Sequence, residues 1–290
     1  MSDRSEWRSA WRLAEPRKLT FDGSVSALRV RLAGGTVNVV GSDRGPARLE
    51  LTALDGPPLV VGHHDGTLTV SHDDPSATGL AAWLDPSRRH RAAHVTLTVP
   101  ATAGVSIHVI GADSVVSGIG GGCELRGVSG DCTLVGLTGP VRAGTVSGRV
   151  EAQAVTGTLH FHSLSGDLTV VEGGGPVIRA DSVGGTITLD LAPAARGADL
   201  AVTTVSGGIA VRLPHPADAE VRADTTSGAV SCDFDDLRVR GEWGAKKVTG
   251  TLGAGSGSLR ATTVSGAIAL LRRPPSEDDR TDLDSEGKVL

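Results

Sequence analysis

Tyrosine is absent from this 290-residue chain, and the other aromatics are sparse: three Phe and four Trp, 2% in all. Methionine occurs once, and asparagine once, at Asn38. A thick globular core uses aromatics as its main area-burying residues. Their scarcity excludes that kind of core and predicts a narrow one filled by Val, Leu, Ile, Ala and Thr, for which the 39% apolar content suffices. Cysteine is limited to Cys123, Cys132 and Cys232, an odd number with no C-x-x-C pair. That excludes a disulfide framework and suits a reducing compartment. Long apolar runs are missing too: no stretch approaches the ~18 residues of a membrane span. The opening residues MSDRSEWRSAWRLAEP hold no run of signal-peptide length, so the expected address is the cytoplasm. A net charge of −5 and a pI near 6.0 give no whole-domain basic field, which disfavours a nucleic-acid partner.

Glycine is plentiful, at 40 residues, and it is periodic. An apolar residue, then Ser or Thr, then Gly recurs as Val128-Ser129-Gly130, Leu137-Thr138-Gly139, Val146-Ser147-Gly148, Val155-Thr156-Gly157 and Leu164-Ser165-Gly166, with the glycines nine residues apart. Looser copies follow at Gly185, Gly207, Gly228, Gly250 and Gly266. Between glycines run alternating segments such as Asp167-Leu168-Thr169-Val170-Val171, which have the period of two that marks a strand. One such strand cannot bury its apolar face alone, so neighbours must stack. Aligning every second unit gives a first inward column of Cys132, Val150, Leu168, Ile187, Ile209, Val230 and Ile268. The second inward column is Leu134, Ala152, Val170, Leu189, Val211, Cys232 and Leu270. The column between them, Thr133, Glu151, Thr169, Thr188, Ala210, Ser231 and Ala269, faces outward. The pattern predicts an all-β, right-handed parallel β-solenoid (β-helix) of about 18–22 residues per coil, spanning residues 18–272.

Residues 5–15 read as a short amphipathic helix ended by Pro16, so residues 1–17 are expected to cap the first coil. From Leu28 to Pro100, alternating segments separated by turn signals such as Gly34-Gly35 and Asp65-Gly66 either begin the solenoid or form an antiparallel lead-in. Residues 72–93 read as an inserted polar loop. Residues 273–290, rich in acids after Pro274-Pro275, read as a disordered acidic tail.

Chemistry-bearing constellations are weak. His160 and His162 share one face of a strand, but their expected stacking neighbours, Arg142, Gly144, Ile178 and Ala180, supply no third metal ligand. His63-His64-Asp65 sits in a turn. The segment Leu252-Gly253-Ala254-Gly255-Ser256-Gly257-Ser258 fails the G-x-G-x-x-G phosphate pattern, because Ser258 occupies the last glycine position. Glu124, Asp131, Glu151, Asp167 and Asp190 are dispersed, unlike the paired carboxylates of sugar hydrolysis, and Asp131, Arg149 and Asp167 are expected to stack as a solvated charge ladder. No catalytic, cofactor or metal residue is assigned, and a non-enzymatic role is expected.

The repeats Thr145-Val146-Ser147-Gly148, Ser163-Leu164-Ser165-Gly166-Asp167-Leu168, Thr204-Val205-Ser206-Gly207-Gly208-Ile209 and the ending Gly257-Ser258-Leu259-Arg260-Ala261-Thr262-Thr263-Val264-Ser265-Gly266-Ala267-Ile268 resemble the bacterial putative-adhesin domain family of β-strand-repeat proteins. The stretch His94-Val-Thr-Leu-Thr-Val-Pro100 with Gly104-Val105 is similar to its lead-in, and the resemblance covers roughly residues 19–272. It implies a β-solenoid, no established catalytic residues and an adhesive role. The leading expectation is a binding or assembly module that presents solenoid faces or ends to a protein partner or to itself. An exported cell-envelope adhesin and a carbohydrate-active β-helix enzyme are the alternatives. Trp7, Trp11, Trp83, Arg88, Arg89, Arg91 and Trp243 are the expected partner contacts, because large aromatics and Arg outside the core are enriched at interfaces. Peripheral membrane contact through residues 4–14 is a lesser expectation.

Overall fold

The computed structural model describes residues 9–72, 91–242 and 244–274. Among them lie twenty-four strands and no α-helix. The chain starts with β1 (Ser9–Leu13) and β2 (Arg17–Phe21), followed by the long β3 (Ala27–Ser42). Next come β4 (Ala47–Asp55), the hairpin of β5 (Leu59–His64) and β6 (Thr67–His72), then β7 (Ala92–Pro100) and the long β8 (Gly104–Ser117). From there strands alternate between two ladders. One holds β9 (Cys123–Gly127), β11 (Val141–Thr145), β13 (Leu159–Ser163), β15 (Val177–Ser182) and β17 (Asp199–Thr203). The other holds β10 (Cys132–Val135), β12 (Val150–Gln153), β14 (Leu168–Gly173), β16 (Ile187–Leu191) and β18 (Ile209–Leu213). All pairings within this run are parallel, so the chain winds as the sequence predicts, and one continuous apolar core lies between the ladders.

Both inward columns are present in the expected register: Cys132 pairs with Val150, Val150 with Leu168, Leu168 with Ile187 and Ile187 with Ile209. The core is thin enough to be filled by aliphatic side chains. Its largest buried member, Phe161, is flanked in register by Ala143 and Ala180, which leave it room.

The order of the last coils is not the order of the sequence. After β18 the chain forms β19 (Ala219–Thr225), β20 (Val230–Cys232), β21 (Arg238–Glu242) and β22 (Ala245–Leu252), and then returns with β23 (Gly257–Thr263) and β24 (Ile268–Arg272). Strand β23 inserts between β17 and β19, and β24 between β18 and β20. Ile268 therefore sits between Ile209 and Val230 in the first inward column. The antiparallel β22 and β21 close one ladder beyond β19.

The opposite end is also capped by antiparallel strands. The edge of one ladder is β1 on β5 on β6, and the edge of the other is β2 on β4 on β7; β6 and β7 flank successive halves of β3. Both β3 and β8 run through both ladders. Two expectations are corrected here. Gly34-Gly35 is a bend inside one continuous strand, where the inward phase shifts from Leu28, Val30 and Leu32 to Val37 and Val39. The expected N-terminal helix is replaced over Ser9–Leu13 by a strand: a ten-residue helix is marginal alone, whereas pairing with β5 satisfies the backbone and buries Leu13. Residues 1–8 lie outside the described residues.

The two glycine corners look alike in sequence and differ in structure. At the first, Gly130, Gly148, Gly166, Gly185, Gly207, Gly266 and Gly228 stack in that order. A Cβ on Gly148 would lie 1.9 Å from the carbonyl oxygen of Gly130, and one on Gly228 would lie 1.8 Å from that of Gly266. Here the hydroxyl three residues before the glycine points inward: Thr145 Oγ1 accepts the Gly148 N–H at 3.0 Å, and Ser182 Oγ accepts that of Gly185 at 2.9 Å. The serine just before the glycine donates to the preceding coil, as Ser147 Oγ does to the Val128 carbonyl at 3.1 Å. The apolar residue between these two hydroxyls is thereby turned out.

At the second corner Gly118, Gly136, Ala154 and Glu172 are left-handed, with φ of 65°, 61°, 51° and 55°. That kink reverses the phase and turns Ile119, Leu137 and Val155 inward. Gly148→Ala and Ala154→Gly should consequently act in opposite directions. Urea unfolding should show the first losing about 3 kcal/mol or more to the backbone clash. The second should gain roughly 0.5–1 kcal/mol, because relief of a left-handed non-glycine residue exceeds the added unfolded-state entropy.

Candidate functional site: an aliphatic ridge along one corner

The side chains turned out at the first corner form a continuous apolar row on the surface. Val146, Leu164, Val183, Val205 and Val264 are 42% to 56% exposed. Corner hydrogen bonds fix their order: Ser165 N–H donates to the Val146 carbonyl, Gly184 to Leu164, Val205 to Val183 and Val264 to Val205. At one residue per coil, the five span about 20 Å. Single exposed aliphatics are ordinary, whereas contiguous exposed apolar patches are uncommon on monomeric proteins. The flanking hydroxyls are occupied in coil-to-coil bonds, so the ridge offers apolar contact and little hydrogen bonding.

Sequence reasoning missed this ridge because it followed the strand residues after each glycine and gave no direction to the apolar residue before the Ser/Thr-Gly pair. The signal is the preceding residue: Thr145, Ser163, Ser182, Thr204 and Thr263 at the outward corner, against Gly136, Ala154 and Glu172 at the inward one.

The expected partner contacts are not gathered at this ridge. Trp7, Trp83, Arg88, Arg89 and Trp243 lie outside the described residues. Trp11 is half-buried at the capped end, edge-on to Phe21 with ring centroids 5.4 Å apart, and Phe21 in turn meets His63. Arg91 precedes β7 and is half-buried. Of the expected polar insertion, His72 ends β6 and Ala92 and Ala93 begin β7. The expected tail starts with an ordered residue: Arg273 pairs with Glu172 and Asp190 and donates to the Leu191 carbonyl at 2.8 Å.

His160 and His162 do share a face, but their neighbours on β15 are Arg179 and Asp181 rather than Ile178 and Ala180, because that coil is one residue longer. No group of three His, Cys, Asp or Glu side chains suited to a metal occurs among the described residues. The stacked Asp131, Arg149 and Asp167 work through the backbone: Asp113 accepts the Asp131 N–H, Asp131 that of Arg149 and Asp167 that of Thr186, at 2.9, 3.0 and 2.7 Å. In the glycine-rich segment, Asp218 takes the Ser256 N–H and hydroxyl at 3.0 and 2.7 Å, so these donors are already used within the fold. Those bonds hold Asp218 below the usual carboxylate range.

Two of the three thiols, Cys123 and Cys132, are buried. Burial, with Glu124 adding to it, pushes Cys123 up to about 12, and burial raises Cys132 further. Cys232 is half-buried, with Sγ 3.7 Å from the Phe234 carbonyl oxygen.

The arrangement defines a two-ladder parallel β-solenoid with antiparallel caps. The Toastrack DUF4097 family model matches residues 26–271, and the chain belongs to that family. No curated protein matches it. Among solved structures, a putative adhesin from Bacteroides fragilis NCTC 9343 is similar over 90% of this chain and 98% of its own, at 12% identity and a TM-score of 0.42. A putative lipid binding protein from Parabacteroides distasonis ATCC 8503 gives the same coverage and identity and a TM-score of 0.43. A putative cell adhesion protein from Clostridium sporogenes ATCC 15579 is similar over 89% of this chain and all of its own, at 13% identity and a TM-score of 0.31.

A half-buried histidine lies at the capped end. His72 closes β6 and makes no ring hydrogen bond among the described residues. Burial first, and Arg91 second, lower its pKa from 6.5 to about 4. Between those values the unfolded chain binds a proton that the folded chain refuses, so this contribution to stability is complete above pH 6.5 and is lost as pH falls toward 4. Thermal unfolding followed over that range should show a smaller drop in Tm for His72→Gln than for the parent; parallel curves would remove His72 as the cause.

Proposed function

We propose that the chain is a non-enzymatic binding or assembly module, and that the aliphatic ridge is where a protein partner or a second copy docks. The carrying observation is the row Val146, Leu164, Val183, Val205 and Val264, exposed on successive coils where the corner geometry could have buried an apolar residue, as the opposite corner does. A rigid row of branched side chains loses little entropy on contact and buries area efficiently. Right-handed winding, the rule for parallel crossovers, and a cytoplasmic address belong to the same reading. The resemblance of the strand repeats to putative adhesins supports attachment to an external surface as a second form of it, which cell fractionation would separate from the first.

The double variant Leu164→Asp/Val205→Asp tests the ridge. Both sites are exposed, so each should alter stability by no more than about 0.5 kcal/mol. Light scattering after size exclusion, run beside affinity recovery from the native host, should show the parent associating and the variant not. Equal association by both proteins, or none by the parent, would sink the ridge.

A further inference from the structure

A second surface, on the outer face of the other part of the molecule, carries charge rather than apolar area. Where β15, β17, β23, β19, β22 and β21 lie side by side, the sheet encloses an open groove of about 920 Å3. Its middle row, read across the strands in register, is Arg179, Ala201, Arg260, Arg222, Thr249 and Arg238. Arg222 and Arg260 are direct cross-strand neighbours, a like-charge pairing that works against the sheet. Arg222 is held by Asp224, with Nε 2.9 Å from Oδ2, whereas Arg179, Arg238 and Arg260 make no ion pair among the described residues. The residues between the cations are small, so the guanidinium groups border open space.

We propose that this groove binds a linear carboxylated polysaccharide. Strand spacing near 4.8 Å puts Arg179 and Arg260 about 10 Å apart, and Arg222 and Arg238 likewise. That is the repeat of two sugar units, and guanidinium forks match carboxylates in two-point contact. The parallel row on one side carries Asp199 and Glu220, with Asp236 also at the groove, and these can accept hydrogen bonds from sugar hydroxyls. The acidic row favours the sparser charge of such a glycan over the closely spaced phosphates of a nucleic acid, and among the described residues no aromatic side chain lines the groove to stack a base. The site is independent of the aliphatic ridge and stands or falls apart from it.

Titration calorimetry of the intact chain with hexagalacturonic acid tests the proposal, with neutral cellohexaose and an oligothymidylate of similar length as controls. The acidic glycan should bind, more weakly as salt is raised, while both controls do not. Arg179→Gln/Arg260→Gln removes two charge-assisted pairs and should weaken binding by at least about tenfold, which the loss of either one would already cause. Arg260→Lys should lose less, and Leu164→Asp nothing. Circular dichroism would establish that each variant is folded. Absence of glycan binding by the parent, equal binding of cellohexaose, tighter binding of the oligothymidylate, or indifference to the double substitution would each overturn it.

Discussion

The structure depends on how closely the backbone of one coil approaches the next at its corners. From Gly148 onward, each glycine of the first corner places its α-carbon against the carbonyl of the stacked neighbouring glycine, where a methyl group would fall about 2 Å from that oxygen. This contact sets the coil spacing, and with it the register of every strand that leaves the corner. It also completes the hydrogen bonding, since the N–H of Gly148, Gly166, Gly185, Gly228 and Gly266 goes to the hydroxyl three residues back, and serines such as Ser147 and Ser206 reach the previous coil. Corners that cannot pair their polar groups with strands would otherwise expose or orphan them. The five buried threonine and serine hydroxyls of the first corner, Thr145, Ser182, Thr204, Thr225 and Thr263, are thus part of the scaffold rather than candidates for chemistry.

The features legible in the sequence are those this contact enforces locally. Glycine spacing and period-two alternation placed Cys132, Val150, Leu168, Ile187 and Ile209 in one inward column, and the structure keeps all five. The order of the last coils was not legible, because Val230 and Ile268 suit the column equally and nothing in a repeat says which neighbour each takes. Intercalation of β23 and β24 is decided by the ends: it leaves the short β20, followed by Phe234 and Leu237, and the β21–β22 hairpin as the closing layer. The N-terminal strand was hidden for a related reason. Arg4, Arg8 and Arg12 have helical spacing, and only the unpaired edge of β5 makes the extended form of Ser9–Leu13 the better choice.

The candidate sites were less legible than the fold, since both depend on which way a side chain turns. Val146 and Val155 occupy the same place in their nine-residue units, yet one is exposed and the other buried. The deciding residues are Thr145, whose hydroxyl claims the inward position, and Ala154, whose left-handed backbone gives that position to its successor. The arginine row was invisible for a different reason. Its members come from β15, β23, β19 and β21, and Arg222 meets Arg260 only because β23 returns to lie beside β19.

The two outer faces then use arginine in contrasting ways. On the ladder of β14, β16, β18 and β24, Asp190 accepts Arg212 at 2.7 Å and also meets Arg273, which reaches Glu172. Those cations are spent on fastening the returning C-terminal strand across three coils. A network of this kind contributes more than isolated surface pairs, because Asp190 serves two cations and Arg273 two carboxylates with little further side-chain ordering. On the opposite ladder Arg179, Arg260 and Arg238 fasten nothing among the described residues, although Asp199 and Glu220 occupy the neighbouring row. Intercalation of the last coil thus has two outcomes: it is locked by charge on one face, and on the other it sets Arg260 beside Arg222. A solenoid whose stability is a sum over neighbouring coils tolerates that local cost, and the face that bears it is the one free to take a ligand.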